Sequence, residues 1–161
     1  MSTLFVNKIQ EETPNNGVQI PGHVVQVKNV STNAPVTLST GGGYTNLLTI
    51  NINMVDPTNH LHVQVLSPNL RKTSGAGASA WWDSRILLNG TAQDIRSGAL
   101  GYPETFADHR YILSMHGMIT SGITSGTNTI ILQGSAQSSG SSWIFSYQNF
   151  RSEMTVMEIA Q

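Results

Sequence analysis

The sequence predicts an all-β protein of about eight strands, folded as a sandwich or a barrel. Three observations predict this class. Apolar and polar residues alternate with a period of two in several short segments, which is the pattern of half-buried strands. Turns rich in Gly, Ser, Thr and Asn separate these segments at the spacing typical of sandwiches and barrels. No window of useful length shows the periodicity of an amphipathic helix.

Composition indicates a neutral, polar surface on one domain. Charged residues make up 11% of the 161 residues, against about 25% in typical domains, whereas Ser, Thr and Asn number 18, 16 and 13. The net charge is −1 and the cations are scattered, which disfavours nucleic-acid binding because that needs clustered cations. No apolar run approaches the length of a membrane span, and residues 1–8 lack the pattern of a secretory signal. With no Cys, disulfides and thiolate zinc sites are excluded.

Residues 1–22 are predicted to form an N-terminal arm. Turn-forming residues 11–17 interrupt two short apolar stretches in this segment. The arm would dock either on its own domain, as a strand, or in a neighbouring subunit. The apolar residues that would anchor it are Leu4, Val6, Ile9, Val18 and Ile20.

Residues 23–161 are predicted to form the β domain. The predicted strands span residues 23–27, 35–38, 48–54, 60–65, 81–88, 111–120, 129–136, 143–147 and 152–161, with 35–38 the weakest of them.

Turn residues divide these strands. Asn89 and Gly90 form the strongest hairpin signal in the chain. Residues 56–59 are predicted to turn, and residues 67–69 to end the strand before them. Residues 96–108 are predicted to be an irregular loop, with room for one short helical turn within 96–110.

The last predicted strand is apolar on both faces. Met154 and Val156 share one face with Glu158, and Thr155, Met157 and Ile159 share the other. Such a strand cannot stay bare in water without inviting edge pairing. It must therefore be paired within a sheet and covered, either by a second sheet or by another chain.

Aromatic residues mark two further regions. Trp143, Phe145 and Tyr147 alternate along one predicted strand, which indicates an aromatic ladder in the core or at a subunit interface. Trp81 and Trp82 are adjacent, so one is expected in the core and the other exposed. Together with loop 96–108 and its Tyr102, these two residues are the candidate contacts for a receptor or glycan.

The candidate chemical groups favour no enzyme, metal site or cofactor. His60 and His62 share one strand face and could reach one ion, but no carboxylate follows at a useful spacing. A solvated or interface strand, with a pH-sensitive contact between symmetry mates, explains them better.

Fragments of a hydrolytic site are also present. Asp108 precedes His109, and Ser114 lies two residues before His116, but no nucleophile-elbow pattern accompanies them. Glu104 and Asp108 are close in sequence, as a carbohydrate-cleaving pair would need, yet a solvated loop accounts for both.

Four segments, residues 1–10, 20–27, 84–91 and 154–160, resemble a family of small virion structural proteins. The family is common in marine tailed phages, cyanophages especially, and includes tail-fibre, head-fibre and decoration proteins. The resemblance spans most of the chain in order. It implies a trimeric jelly-roll domain similar to the C1q and tumour-necrosis-factor type, with no catalytic residues. Residues 81–83 and loop 96–108 have no counterpart in it, so no partner contacts carry over there.

These observations together predict a phage virion structural protein. Its domain would be a jelly-roll β-sandwich that forms a homotrimeric fibre, knob or capsid decoration. The arm would bind other virion proteins of the capsid, neck or tail, after assembly in the host bacterial cytoplasm. The alternative function is a module that binds a host receptor or glycan, carried by the same fold.

Overall fold

The structure is a computed structural model that describes residues 21–38, 43–73, 80–101, 109–136 and 142–161. Ten strands and a short 3-10 turn at Tyr147–Asn149 make up its regular structure within these ranges. The strands are β1 (Val24–Thr32), β2 (Val36–Leu38), β3 (Thr45–Asn53), β4 (His60–Lys72), β5 (Ala80–Leu88), β6 (Thr91–Gly101), β7 (His109–Ile119), β8 (Thr127–Ala136), β9 (Trp143–Phe145) and β10 (Ser152–Ile159).

The strands form two antiparallel sheets that face each other. In the first sheet, β10 lies between β1 and β4, and β7 pairs with the other edge of β4. The short strands β9 and β2 extend this sheet beside the distal half of β4. The second sheet has the order β3-β8-β5-β6. Eight long strands divided in this way form a jelly-roll sandwich, which confirms the predicted fold class.

The core fills the space between the sheets because each long strand alternates inward and outward residues. In β3, Leu48, Ile50 and Ile52 are buried while the residues between them are exposed. Two indoles meet at the centre of the core, where the rings of Trp82 and Trp143 lie 6.0 Å apart. Their contact joins β5 of the second sheet to β9 of the first.

Strand β10 is paired on both sides, as its sequence predicts. Its inward residues Met154 and Val156 are fully buried under the second sheet, whereas Met157 and Ile159 face outward and are half-buried. One face of β10 is therefore buried in the core, and the other is partly open to solvent.

Local backbone requirements explain one turn and two close approaches. Asn89 and Gly90 both have positive φ, 50° and 85°, which fits the hairpin between β5 and β6. A Cβ on Gly134 would lie 2.6 Å from the Trp82 ring, and one on Gly117 would lie 2.6 Å from Ile95. Glycine at Gly134 makes room for Trp82 of the neighbouring strand β5, and glycine at Gly117 makes room for Ile95 of the facing sheet.

Several predicted boundaries were wrong, among them the end of strand 23–27, which continues to Thr32 as β1. Strand β4 does not end at residues 67–69 but continues to Lys72, because an irregularity in its pairing with β7 between Ser67 and Leu70 accommodates Pro68. Residues 96–101 are not a loop but the end of β6, paired with β5. Residues 102–108 lie outside the described part of the chain.

The predicted strand 143–147 is also shorter than expected. It ends at Phe145 because Ser146 adopts a left-handed backbone, with φ of 56°, and Tyr147 then opens the 3-10 turn. The three aromatic residues therefore do not form one ladder. Trp143 and Phe145 are buried in the core, and Tyr147 is half-buried, with the Arg71 guanidinium 4.3 Å from its ring centre.

The predicted arm lies almost wholly outside the described residues. Only Pro21 and Gly22 of segment 1–22 are described, and the Gly22 N–H donates to the carbonyl of Ala160 at 2.8 Å. The positions of Leu4, Val6, Ile9, Val18 and Ile20 fall outside the description, so the anchoring role of the arm stays a prediction.

Candidate functional site

The outward face of the first sheet carries apolar side chains that the core does not bury. Ile112 is 71% exposed and Val27 is 55% exposed, and the others are exposed or half-buried. We call this set the apolar face; it consists of Val24, Val27, Leu66, Ile112, Met118, Met157 and Ile159.

Strand register makes part of the apolar face continuous, whereas Leu66 lies opposite Glu153 and Ser114, beyond a polar row of Thr155, Gln64 and His116. Val27 lies opposite Met157, Met157 opposite His62, and His62 opposite Met118, so one row crosses four strands. With strands about 4.8 Å apart, the row is about 15 Å wide. A parallel row passes from Val24 through Ile159 to His60. Neither row contains Asp, Glu, Lys or Arg.

Three imidazoles lie among these apolar residues. His60 and His62 project outward from β4, and the ring of His62 lies 6.5 Å from the ring of His116 on β7, in an edge-on arrangement. The pair is close, but no group of three or more His, Cys, Asp or Glu that could hold a metal ion occurs among the described residues. The three imidazoles therefore place polar ring nitrogens among the apolar side chains of this surface.

A depression of about 270 Å³ adjoins the apolar face across β10, β4 and β7. Its lining is mostly polar and comprises Gln64, Val65, Leu66, Ser114, Met115, His116, Glu153 and Thr155. Ser114 and His116 thus share one wall, as their spacing predicts, whereas Asp108 and Glu104 lie outside the described residues. At the other wall, the Glu153 carboxylate lies 3.6 Å from the Arg151 guanidinium.

The outward face of the second sheet is built differently, from polar side chains that bond to one another. The Tyr44 hydroxyl donates to Asp83, and the Arg85 guanidinium stacks 3.6 Å from the centre of the Tyr44 ring. Arg85 Nε donates to Gln133 Oε1 at 3.0 Å, and Gln133 Nε2 donates to Asn46 Oδ1 at 2.8 Å. We call this set, with Trp81, the polar face.

The electrostatics of Tyr44 follow from this network. The hydrogen bond to Asp83 raises the pKa of Tyr44, and burial and the negative charge of Asp83 raise it further. The hydroxyl therefore stays protonated and keeps donating to the carboxylate at physiological pH.

The two adjacent tryptophans divide as their alternation predicts. Trp81 is 53% exposed on the polar face, whereas Trp82 is 1% exposed in the core. Trp82 is therefore not available as a ligand contact, which corrects its place among the candidates. The third candidate, Tyr102, lies outside the described residues. Of the three, Trp81 alone has a described, solvent-accessible ring.

Sequence reasoning missed Glu158, a buried carboxylate that ties β10 to the connection between β3 and β4. Gln26 Nε2 donates to it at 2.5 Å and Asn59 Nδ2 at 2.7 Å, and the backbone N–H groups of Val55 and Asp56 donate at 3.1 Å. Burial raises the pKa of Glu158, but these donors outweigh it and hold the pKa below its ordinary value. The signal that could have found it is its inward position, beside Met154 and Val156.

None of the described residues lies in a helix long and apolar enough to span a membrane.

Comparisons with known proteins return structural matches only. No protein-family model matches the sequence, and no curated protein matches it. The chain is similar to a chain of the Gx strain of infectious bursal disease virus, with 18% identity over 84% of this chain and 37% of that one, at a TM-score of 0.46.

A VP2 subviral particle of the same virus gives 15% identity over 96% of this chain and 42% of that one, at a TM-score of 0.45. The T13 viral particle of this virus gives 15% identity over 95% of this chain and 40% of that one, at a TM-score of 0.46. The chain spans about two-fifths of the length of these viral chains.

Proposed function

We propose that this protein is a structural subunit of a phage virion, which assembles with copies of itself into a fibre, knob or capsid decoration. The apolar face carries the proposal. Five of its side chains are exposed, and the uncharged row through His62 crosses four strands, with the shorter row through His60 beside it. Isolated exposed apolar residues are ordinary, but a continuous set of them marks an interaction surface.

The identity of the partner is argued from charge. Because the rows contain no Asp, Glu, Lys or Arg, copies of the same face meet without electrostatic repulsion. The low charge of the whole chain, 11% of residues, favours the same kind of contact. Burying the apolar face would gain roughly 25 cal/mol for each Å² of apolar area removed from water.

The trimeric state, the phage origin and the arm are supported by the resemblance of four chain segments to small virion proteins of marine phages. In this proposal residues 1–22 hold the subunit on the particle, through contacts with capsid, neck or tail proteins. Assembly takes place in the host bacterial cytoplasm, before the particle is complete.

Native mass measurement of the purified chain tests the assembly. A trimer at micromolar concentration is expected, and a stable monomer would overturn the proposal. The arm is tested separately by a chain lacking residues 1–22. That chain should remain trimeric and be absent from purified virions; its presence on virions would contradict the anchoring role.

A second candidate function is recognition of a molecule on the host surface, and the exposure of Trp81 favours it. Exposed tryptophan is enriched at recognition surfaces because its ring offers a large rigid contact area. A fluorescently labelled protein should bind marine cyanobacterial cells, and Trp81→Ala should reduce that binding. Equal binding by both proteins would remove Trp81 from recognition.

A further inference from the structure

We propose that the polar face binds a neutral carbohydrate, with Trp81 as the stacking platform. This inference rests on the second candidate function, recognition at the host surface, and specifies the chemical class that would be recognised. It does not depend on self-assembly, because the polar face lies on the opposite sheet from the apolar face.

The first argument is the placement of the ring. Trp81 and Asp83 are two residues apart on β5 and point to the same side, so they stand about 7 Å apart along the strand. The indole presents an electron-rich, apolar surface, which suits the C–H groups on one side of a sugar ring. A sugar stacked there has its hydroxyls within reach of the neighbouring carboxylate.

The second argument is that the polar groups are held in place before any ligand arrives. Tyr44 fixes one oxygen of the Asp83 carboxylate and supports the Arg85 guanidinium, while Gln133 fixes Arg85 Nε. Among the described residues, these contacts leave the other Asp83 oxygen as an acceptor and the terminal N–H groups of Arg85 as donors. A sugar hydroxyl can both donate and accept, so it can use the two together.

The third argument is charge, which selects neutral ligands. Arg96 lies opposite Arg85 in the pairing of β6 with β5, and Asp94 is an exposed residue of β6 at the irregularity between Ala92 and Arg96. The two arginines are balanced by Asp83 and Asp94, so this surface has no net charge. An anionic polymer attracted by the two arginines would be repelled by the two aspartates.

The experiment measures retardation of the full chain in native gels that contain a polysaccharide. Dextran, mannan and agarose are the neutral probes, and alginate is the anionic comparator. We expect at least one neutral polymer to retard the protein more than alginate does. Trp81→Ala should weaken that binding about tenfold or more, and Trp81→Phe should keep most of it. Phe150→Ala, which removes another exposed aromatic ring from the connection between β9 and β10, should leave it unchanged.

Three results would overturn the inference: no retardation by the neutral probes, stronger retardation by alginate, or equal binding by Trp81→Ala. Competition between the polysaccharides and whole cells for the protein distinguishes failure of the neutral-sugar inference from failure of the proposed recognition function. If cells bind the protein through Trp81 and alginate alone competes, recognition stands and the neutral-sugar class is wrong. If neutral probes bind through Trp81 but cells do not bind the protein, the sugar site stands and host recognition is wrong.

Discussion

The outward faces of the two sheets differ in whether hydrogen bonds hold their side chains in place. On the apolar face, Val27, Met118 and Ile112 extend into solvent with no polar group to hold them. On the polar face, Tyr44 and Arg85 are held by a chain of hydrogen bonds and a stacking contact. Both faces belong to strands of similar length in one sandwich, so the fold does not impose the difference.

This contrast suggests that the faces have different partners. An apolar surface gains free energy when any complementary apolar surface covers it, so it suits a permanent contact between subunits. A surface of fixed, directional donors and acceptors gains only from a ligand that matches their geometry. We call the core and the buried contacts that hold the two sheets together the framework. If the faces have different partners, a change in the framework should affect both faces, whereas a change on one face should affect that face alone.

Glu158→Ala should have the largest effect, because it damages the framework on which both faces depend. Removal of the carboxylate leaves the donors of Gln26, Asn59 and two backbone groups unsatisfied in a buried site. We expect a loss of about 3 kcal/mol in the free energy of unfolding, measured by urea denaturation. The matched control on the same strand is Glu153→Ala, whose exposed ion pair should contribute less than about 1 kcal/mol. Equal losses in both variants would show that Glu158 does not hold the framework.

Met118→Asp should have the next largest effect and should act on assembly alone. The substitution places a carboxylate in the uncharged row formed with His62 and Met157. We expect association to weaken at least thirtyfold, or about 2 kcal/mol, in sedimentation measurements. Thr49→Asp, an exposed change on the second sheet, should leave association unchanged. An assembly that tolerates Met118→Asp would place the subunit contact elsewhere.

Acid should destabilise the fold through Glu158. The pKa of Glu158 is lowered in the folded state, so its contribution is fully present above its ordinary value of 4.5 and is lost as pH falls through the folded pKa. Melting temperature measured from pH 8 to pH 3 checks this expectation. A melting temperature that does not change as pH falls below 4.5 would contradict the role of Glu158.

Tyr44→Phe should have the smallest effect. It removes the hydroxyl that donates to Asp83 but keeps the ring beneath Arg85. On a partly exposed surface this bond should contribute about 1 kcal/mol or less to unfolding. Affinity for the neutral polysaccharide should fall more than stability does, since Asp83 loses its fixed orientation. A stability loss matching that of Glu158→Ala would mean that the polar face is part of the framework.

Much of the fold could be predicted because most strands here bury one face each. Alternation along β3 is clear enough to give both the strand and its inward residues. The failures have local causes. Pro68 suggests a strand end, but the irregular pairing of β4 with β7 carries the chain past it. Residues 96–101 contain two glycines and Ser97, so their strand depends on pairing with β5 rather than on their own propensity.

The surfaces were less predictable than the core because they depend on register between distant strands. Alternation alone indicates that one of Trp81 and Trp82 is exposed, but not which one. Nothing local places Tyr44 beside Asp83 and Arg85, since β3 and β5 are brought together by β8. The apolar face likewise becomes visible only when Val27, Met157 and Met118 fall into one row.

The position of β10 has a consequence for how the protein folds. Its Glu158 bonds to Gln26, 132 residues away along the chain, and its two neighbours in the sheet are β1 and β4. Until β10 arrives, both neighbours expose a ladder edge that invites pairing with another chain. Topologies dominated by such distant contacts fold slowly. We therefore expect newly made subunits to depend on protection from aggregation, and a chain that ends before residue 152 to be insoluble rather than partly folded.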